Sequence, residues 1–72
     1  MFRYVVVEYC FADDSAVGEK HYLGAYPTMH EARKAAGEYI KTNVKRMKKR
    51  YRHWQVDVLR ERIFWEIRGL NP

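Results

Sequence analysis

The sequence predicts an α+β fold: a single β-β-α-β-β domain in which an antiparallel sheet carries one long helix packed on one face. Three features indicate this fold. The N-terminal segment is rich in β-branched and aromatic residues, the middle of the chain has helical periodicity behind a capping box, and the C-terminal segment alternates apolar and polar residues. The 72 residues are enough for one domain, so we expect residues 1–72 to form a single small domain.

The first segment predicts a central strand. Residues 2–11 are apolar at both odd and even positions, which is typical of a strand that is covered on both faces. A polar turn at residues 13–18 follows, and residues 21–26 then predict a second, shorter strand. We expect these two strands to pair as a hairpin.

A capping box marks the start of the helix. The Thr28 hydroxyl can accept the backbone N–H of Glu31, and the Glu31 carboxylate can reach back to the N–H of Thr28. Apolar residues then recur three or four positions apart, which predicts a helix from residue 29 to about residue 49. The polar pair Thr42 and Asn43 leaves an earlier end as the alternative. The apolar residues are Met29, Ala32, Ala36, Ile40, Val44, Met47 and Tyr51.

The C-terminal segment changes the parity of its apolar positions. Even positions are apolar at residues 54–58, whereas odd positions are apolar at residues 63–67. Side chains of one strand alternate between its faces, so a tight turn at Arg60 and Glu61 would reconcile the two patterns. The turn lacks the Gly or Asn that hairpins favour, which leaves a bulge or a longer loop open. The predicted register sets Val58 opposite Ile63, Val56 opposite Trp65 and Trp54 opposite Ile67.

The positive charge is concentrated in one segment. Residues 41–52 hold seven of the 14 Lys and Arg residues and no Asp or Glu, so the net charge of +5 arises there. On a helix, a sector of about 60° away from the apolar stripe holds six side chains. They are His30, Lys34, Lys41, Lys45, Lys48 and Arg52. Such a surface could follow a phosphate backbone, or it could be a solvated face that keeps the protein in solution. The predicted partner-binding residues are Lys34, Lys41, Lys45, Lys48, Lys49 and Arg52.

Aromatic residues give a second indication of binding. One helix covers only one face of a sheet, so some of the aromatic side chains are expected on the other face. There they could stack bases, pack a second copy of the chain as a homodimer or grip a protein partner. Arg3, Arg62 and Arg68 could instead shield the rings. The aromatic residues concerned are Phe2, Tyr4, Tyr9, Tyr22, Tyr26 and Phe64.

Catalysis, cofactors and metals have little support in the sequence. Cys10 could face His21 as a thiolate–imidazole pair, but a small buried thiol beside a surface histidine is the preferred interpretation. The histidines have no metal-ligand spacing with Cys10. We therefore expect no catalytic, cofactor-binding or metal-binding residues. A lone cysteine fits a cytoplasmic protein, and no apolar run approaches the roughly 20 residues of a membrane span.

A local resemblance lies in residues 18–36, about a quarter of the chain. This segment resembles the strand-to-helix segment of plant ethylene-response-factor DNA-binding domains, and it is similar to the arm-site-binding domains of phage-type tyrosine recombinases. Those families read DNA with Arg and Trp on a sheet before the helix. This sequence has no matching Arg-rich strand, so no base-reading residues are implied. The matching residues are Leu23, Gly24, Tyr26, Thr28, Glu31 and Ala32.

The overall plan resembles small phage-encoded inhibitors of host defence, including anti-CRISPR proteins. The resemblance lies in size, in element order and in the lack of a catalytic set, and it implies occlusion of a nucleic-acid channel or of a subunit surface. The sequence thus predicts a non-enzymatic basic binding protein that acts on a nucleic-acid-handling protein complex, with no membrane partner. The alternative is a DNA- or RNA-binding module that uses the basic helix face directly.

Overall fold

The computed structural model describes residues 1–12 and 18–63 and confirms the α+β class. Its elements are β1 (Phe2–Phe11), β2 (Glu19–Tyr26), α1 (Met29–Arg50) and β3 (His53–Arg62). The strands form an antiparallel sheet in the order β2-β1-β3. The helix packs on one face of this sheet, as the sequence predicts.

Strand β1 lies at the centre of the sheet and supplies most of its buried side chains. Residues 5–8 and Cys10 are buried. Residues directly opposite each other in an antiparallel pair share a face. The even positions of β1 face the helix, since Val6 pairs with Val58 and packs with the helix core. The odd positions face away from it.

The pairing of β1 with β2 confirms the predicted hairpin and adds a bulge. Val6 lies opposite Gly24 while Val7 lies opposite Tyr22, so Leu23 is an extra residue on β2. Beyond the bulge, His21 lies opposite Glu8 and Glu19 opposite Cys10. The bulge therefore places His21 and Glu19 on the face that carries Glu8 and Cys10.

The helix begins at the predicted capping box and runs for 22 residues. The Thr28 hydroxyl accepts the Glu31 N–H at 3.2 Å, as predicted. The Glu31 carboxylate accepts from the Thr28 hydroxyl at 3.0 Å rather than from the predicted Thr28 N–H. Thr42 and Asn43 do not end the helix, because their side chains donate to the carbonyls of residues 38 and 39. Nowhere in residues 1–12 and 18–63 is a helix long and apolar enough to cross a membrane.

The helix packs on the sheet through small side chains. Ala32 and Ala36 are buried against Val6. The predicted apolar stripe is wrong at Ile40, which is 36% exposed. Tyr39 reaches the sheet instead and donates to Glu8. The face of α1 that contacts the sheet is therefore rotated away from Ile40. The short side chains of Ala32 and Ala36 let the helix lie close to the sheet, and the Tyr39 ring fills the space beside them.

The predicted tight turn at Arg60 and Glu61 is wrong. Both residues lie inside β3, which pairs with β1 over its whole length, from His53 opposite Phe11 to Arg62 opposite Phe2. Arg60 occupies a position on the helix side but is exposed, with its guanidinium 4.8 Å from the centre of the Phe2 ring. The sheet extends past the part that the helix covers, so the even positions no longer need apolar side chains. The predicted partners Trp65 and Ile67 lie outside the described residues, as does most of the predicted fourth strand.

Candidate functional site

The predicted partner-binding residues form a basic face on the outer side of α1. All six side chains are exposed. Arg52 lies two residues after the end of α1. The side chains of the five lysines form no hydrogen bond or ion pair with another described residue. Helical geometry sets Lys34, Lys41 and Lys45 opposite the buried Ala32 and Ala36. We call these six residues the basic face: Lys34, Lys41, Lys45, Lys48, Lys49 and Arg52.

Part of the basic face also has a structural role. Lys48, Lys49 and Arg50 lie in the last turn of α1, where cations interact favourably with the helix dipole. Lys34, Lys41 and Lys45 lie well before that turn. Substitutions that change their charges should therefore affect binding with little effect on the stability of the helix end. Glu38 is exposed between them on the same side of the helix and weakens the local positive potential.

A cavity of about 400 Å³ adjoins the C-terminal end of the basic face. Lys48 and Arg52 belong both to the basic face and to the cavity wall. The fold holds the Trp54 ring in place, because its indole N–H donates to Glu8, and it holds the Tyr51 backbone, whose N–H donates to the Met47 carbonyl at the helix cap. Sequence reasoning missed this cavity because it unites distant parts of the chain. The lining residues are Phe11, Lys48, Tyr51, Arg52, His53, Trp54 and Gln55.

A buried carboxylate is the most unusual feature beneath the helix. Glu8 is 2% exposed and accepts hydrogen bonds from Tyr39 Oη at 2.7 Å, Trp54 Nε1 at 2.8 Å and His21 Nδ1 at 3.0 Å. Burial by itself raises the pKa of Glu8, but the hydrogen bonds from Trp54, His21 and Tyr39 outweigh it. The pKa of Glu8 therefore lies below its usual value, and the carboxylate is ionised at neutral pH.

Two of the groups around Glu8, Tyr39 and Cys10, are held in their protonated forms. Burial, with the Glu8 hydrogen bond and charge, raises the pKa of Tyr39 to about 12. Burial and the charges of Glu8 and Glu19 also raise the pKa of the Cys10 thiol. A nucleophilic cysteine needs a lowered pKa, and His21 Nδ1 is engaged with Glu8. The predicted preference for a buried thiol over a thiolate–imidazole pair agrees with this geometry.

Three possible metal ligands converge on the helix side of the β1–β2 hairpin. One donor atom each from Glu8, Cys10 and His21 lies within 4.8 Å of the others. The spacing of the histidines from Cys10 along the sequence does not indicate this cluster, because its third member is the carboxylate of Glu8. A single acidic residue in an apolar central strand was the signal that could have revealed it.

Only some of the aromatic residues considered for the face of the sheet away from the helix lie on that face. Tyr4 and Tyr26 pack with the helix core, whereas Tyr9 and Tyr22 lie on the far face. Tyr22 is 66% exposed, and the Lys20 ammonium lies 5.2 Å from its ring centre and 5.7 Å from that of Tyr9. The predicted shielding by arginines is therefore supplied at Tyr9 and Tyr22 by a lysine. Phe64 lies outside the described residues.

Comparison of this chain with protein-family models, with curated proteins and with solved structures finds no match.

Acid is expected to destabilise the fold through Glu8. A carboxyl with a pKa lowered by folding stabilises the protein above its unfolded pKa of about 4.5, and this stabilisation is lost as the pH falls through the folded pKa. The groups that face Glu8 are Tyr39 from α1, Trp54 from β3, and His21 and Cys10 from the hairpin. We expect urea midpoints, measured with a chelator present, to fall steeply below about pH 4.5. The same fall in Glu8→Gln would contradict this assignment.

Proposed function

We propose that this protein is a non-enzymatic nucleic-acid-binding protein that holds the phosphate backbone on its basic face. The observation that carries the proposal is the continuity of the basic face with the aromatic cavity at its end. Positive charge beside partly exposed aromatic rings is what a protein needs to bind nucleic acid without reading its sequence, and the cavity rings of Phe11, Tyr51 and Trp54 are half-buried. We also place the protein in the cytoplasm, where nucleic acid is accessible and the Cys10 thiol stays reduced.

The lysines supply the electrostatic part of this binding. At a rise of about 1.5 Å per residue, the row from Lys34 to Lys48 extends over about 21 Å. One strand of a duplex advances about 3.4 Å per phosphate, so the row can face about six phosphates. None of the five lysines is held by a described carboxylate, so binding breaks no ion pair with the described part of the chain.

The cavity adds a preference for single strands. A base that enters it would meet Phe11, Tyr51 and Trp54, while Lys48 and Arg52 lie at the same opening for the adjacent phosphates. Stacking of one base on an aromatic side chain contributes about 1–3 kcal/mol. Bases in a duplex are not free to enter. The proposal therefore includes tighter binding of single-stranded DNA or RNA than of duplex.

A second candidate function is inhibition by docking on a nucleic-acid-handling protein complex, in the manner of anti-CRISPR proteins. The exposed Tyr22, beside a groove lined by Arg3, Val5, Ala25 and Glu61, favours it. Exposed tyrosines are frequent anchors of protein interfaces. In this case the basic face would steer the encounter, and the far face of the sheet would hold the contact.

Titration of fluorescently labelled DNA and RNA strands, single and duplex, separates the two candidates. At about 0.1 M salt we expect micromolar or tighter binding, and tighter binding of single strands than of duplexes. Tyr51→Ala should weaken single-strand binding by about 5- to 150-fold and leave duplex binding nearly unchanged. Lack of binding to every strand would refute direct binding and leave the protein-complex candidate.

A further inference from the structure

We propose that Glu8, Cys10 and His21 form a binding site for a transition-metal ion of the zinc class. The site lies on the helix side of the β1–β2 hairpin, apart from the basic face, and does not depend on the proposed function. One donor atom from each of the three residues lies within 4.8 Å of the other two. Carboxylate, thiolate and imidazole together are a donor set for Zn²⁺ or Co²⁺, whereas Mg²⁺ and Ca²⁺ prefer oxygen ligands.

The spacing of the donor atoms suits a tetrahedral ion. With metal–ligand bonds of about 2.0–2.3 Å, neighbouring ligand atoms lie roughly 3.3–3.6 Å apart. His21 Nδ1 and Glu8 Oε1 are 3.0 Å apart in the structure, slightly closer than an ion between them requires. The His21 side chain is 45% exposed and can supply the adjustment, whereas Glu8 and Cys10 are buried in the central strand. The exposed side of His21 also gives the ion its entry path and leaves a fourth position for water.

A carboxylate outside the three ligands orients the histidine. His21 Nε2 lies 3.2 Å from Glu19 Oε2, so this nitrogen can donate its proton to Glu19 while Nδ1 faces the site. Histidines that bind metals commonly donate their other N–H to a carboxylate in this way. On the other side, Tyr39 and Trp54 donate to Glu8 Oε2 and leave Oε1 for the ion. Both neighbours of the ligand set therefore support binding.

The charges of the site balance with an ion bound. A carboxylate from Glu8 and a thiolate from Cys10 offset the two charges of the ion, and His21 binds as a neutral ring. Coordination forms a metal–sulfur bond and releases the Cys10 thiol proton to solvent. It also forms a metal–nitrogen bond at His21 Nδ1, so the proton that this nitrogen donates to Glu8 must leave it, and the neutral ring carries its single proton on Nε2, toward Glu19. Buried charges are stable in proteins when they are paired or bind a metal. Glu8 and Cys10, which are buried beside each other, would thus both serve as ligands of the ion.

Cobalt(II) is the probe for this site because thiolate coordination gives it a near-ultraviolet charge-transfer band. Protein freed of metal with a chelator is titrated with Co²⁺ and then with Zn²⁺. We expect a charge-transfer band with a stoichiometry of one ion per chain, its loss when Zn²⁺ displaces the cobalt, and a higher melting temperature with Zn²⁺. Cys10→Ser should abolish the band. His21→Asn, at an exposed position that should leave the fold intact, should weaken binding by more than 100-fold, and Glu19→Gln by about 10- to 100-fold.

The control is His30→Asn, because His30 is an exposed helix residue outside the cluster. It should bind cobalt and zinc as the unaltered protein does. The proposal is overturned if Co²⁺ gives no charge-transfer band. It is also overturned if His21→Asn, folded by circular dichroism, binds with unchanged affinity, or if His30→Asn weakens binding as much as His21→Asn does.

Discussion

Reversal of charge at Lys34, Lys41 and Lys45 together is expected to weaken nucleic-acid binding by at least about 100-fold. Each Lys→Glu change removes a contact that releases a counterion and adds a charge that repels phosphate. The three residues are exposed and precede the last helical turn, so unfolding should not account for the loss. Substitutions at such surface positions usually change the free energy of unfolding by less than about 0.5 kcal/mol each. Fluorescence anisotropy gives the affinity, and circular dichroism gives the melting temperature.

The matched control changes the net charge equally at other positions. Lys20, Arg33 and Arg60 are exposed and lie outside the basic face. Their joint reversal to Glu should reduce affinity less than the helix variant does, because none of the three side chains lies in the helix sector that would face the phosphates. Glu38→Gln should strengthen binding. Equal losses in the two triple variants would show that only net charge matters, and the basic face would then not be the binding site.

Replacement of Glu8 by Ala is expected to leave most of the protein molecules unfolded. The change leaves Tyr39, Trp54 and His21 without the acceptor that they share. The loss of a buried, hydrogen-bonded charge costs about 3–5 kcal/mol. A domain of this size has only about 3–5 kcal/mol of stability available from its core. Urea denaturation followed by tryptophan fluorescence measures the loss.

Glu8→Gln is the companion variant because it keeps the shape and one acceptor oxygen. The amide oxygen can still accept from Tyr39 and Trp54, while the charge that attracts His21 is lost. We expect the urea midpoint of Glu8→Gln to lie between that of the unaltered protein and that of Glu8→Ala. An unchanged urea midpoint in Glu8→Ala would contradict the view that the carboxylate organises the contact between helix and sheet.

Local patterns were sufficient to predict most of the fold. The doubly apolar β1 identified the central strand, and Thr28 with Glu31 fixed the start of the helix to the residue. The hairpin at Arg60 was wrong for a reason that local patterns do not contain. Alternation of apolar and polar residues shows which face of a strand is buried. How much of that face is buried depends on how far the helix extends along the sheet. Arg60 lies beyond that cover, so a polar residue on the helix side does not end the strand.

The site was predictable where it depends on the helix alone. Helical periodicity and charge placed Lys34, Lys41 and Lys45 on one exposed face. The Glu8 cluster was not predictable, because it needs the pairing of β1 with β2 and the shift in register at Leu23 that brings His21 opposite Glu8. The cavity likewise needs Phe11 of β1 beside Trp54 of β3. Long-range register decides both, and no local pattern encodes it.

The salt dependence of binding to single-stranded DNA tests the central claim most directly. If the basic face holds about five phosphates, log affinity should fall against log salt concentration with a slope of about −3 to −5. Affinity would then drop by roughly two to three orders of magnitude between about 50 and 200 mM salt. The triple variant at Lys34, Lys41 and Lys45 should lower the magnitude of the slope by about 2–3. Tight binding with a slope near zero, or a slope that the triple variant leaves unchanged, would contradict the account.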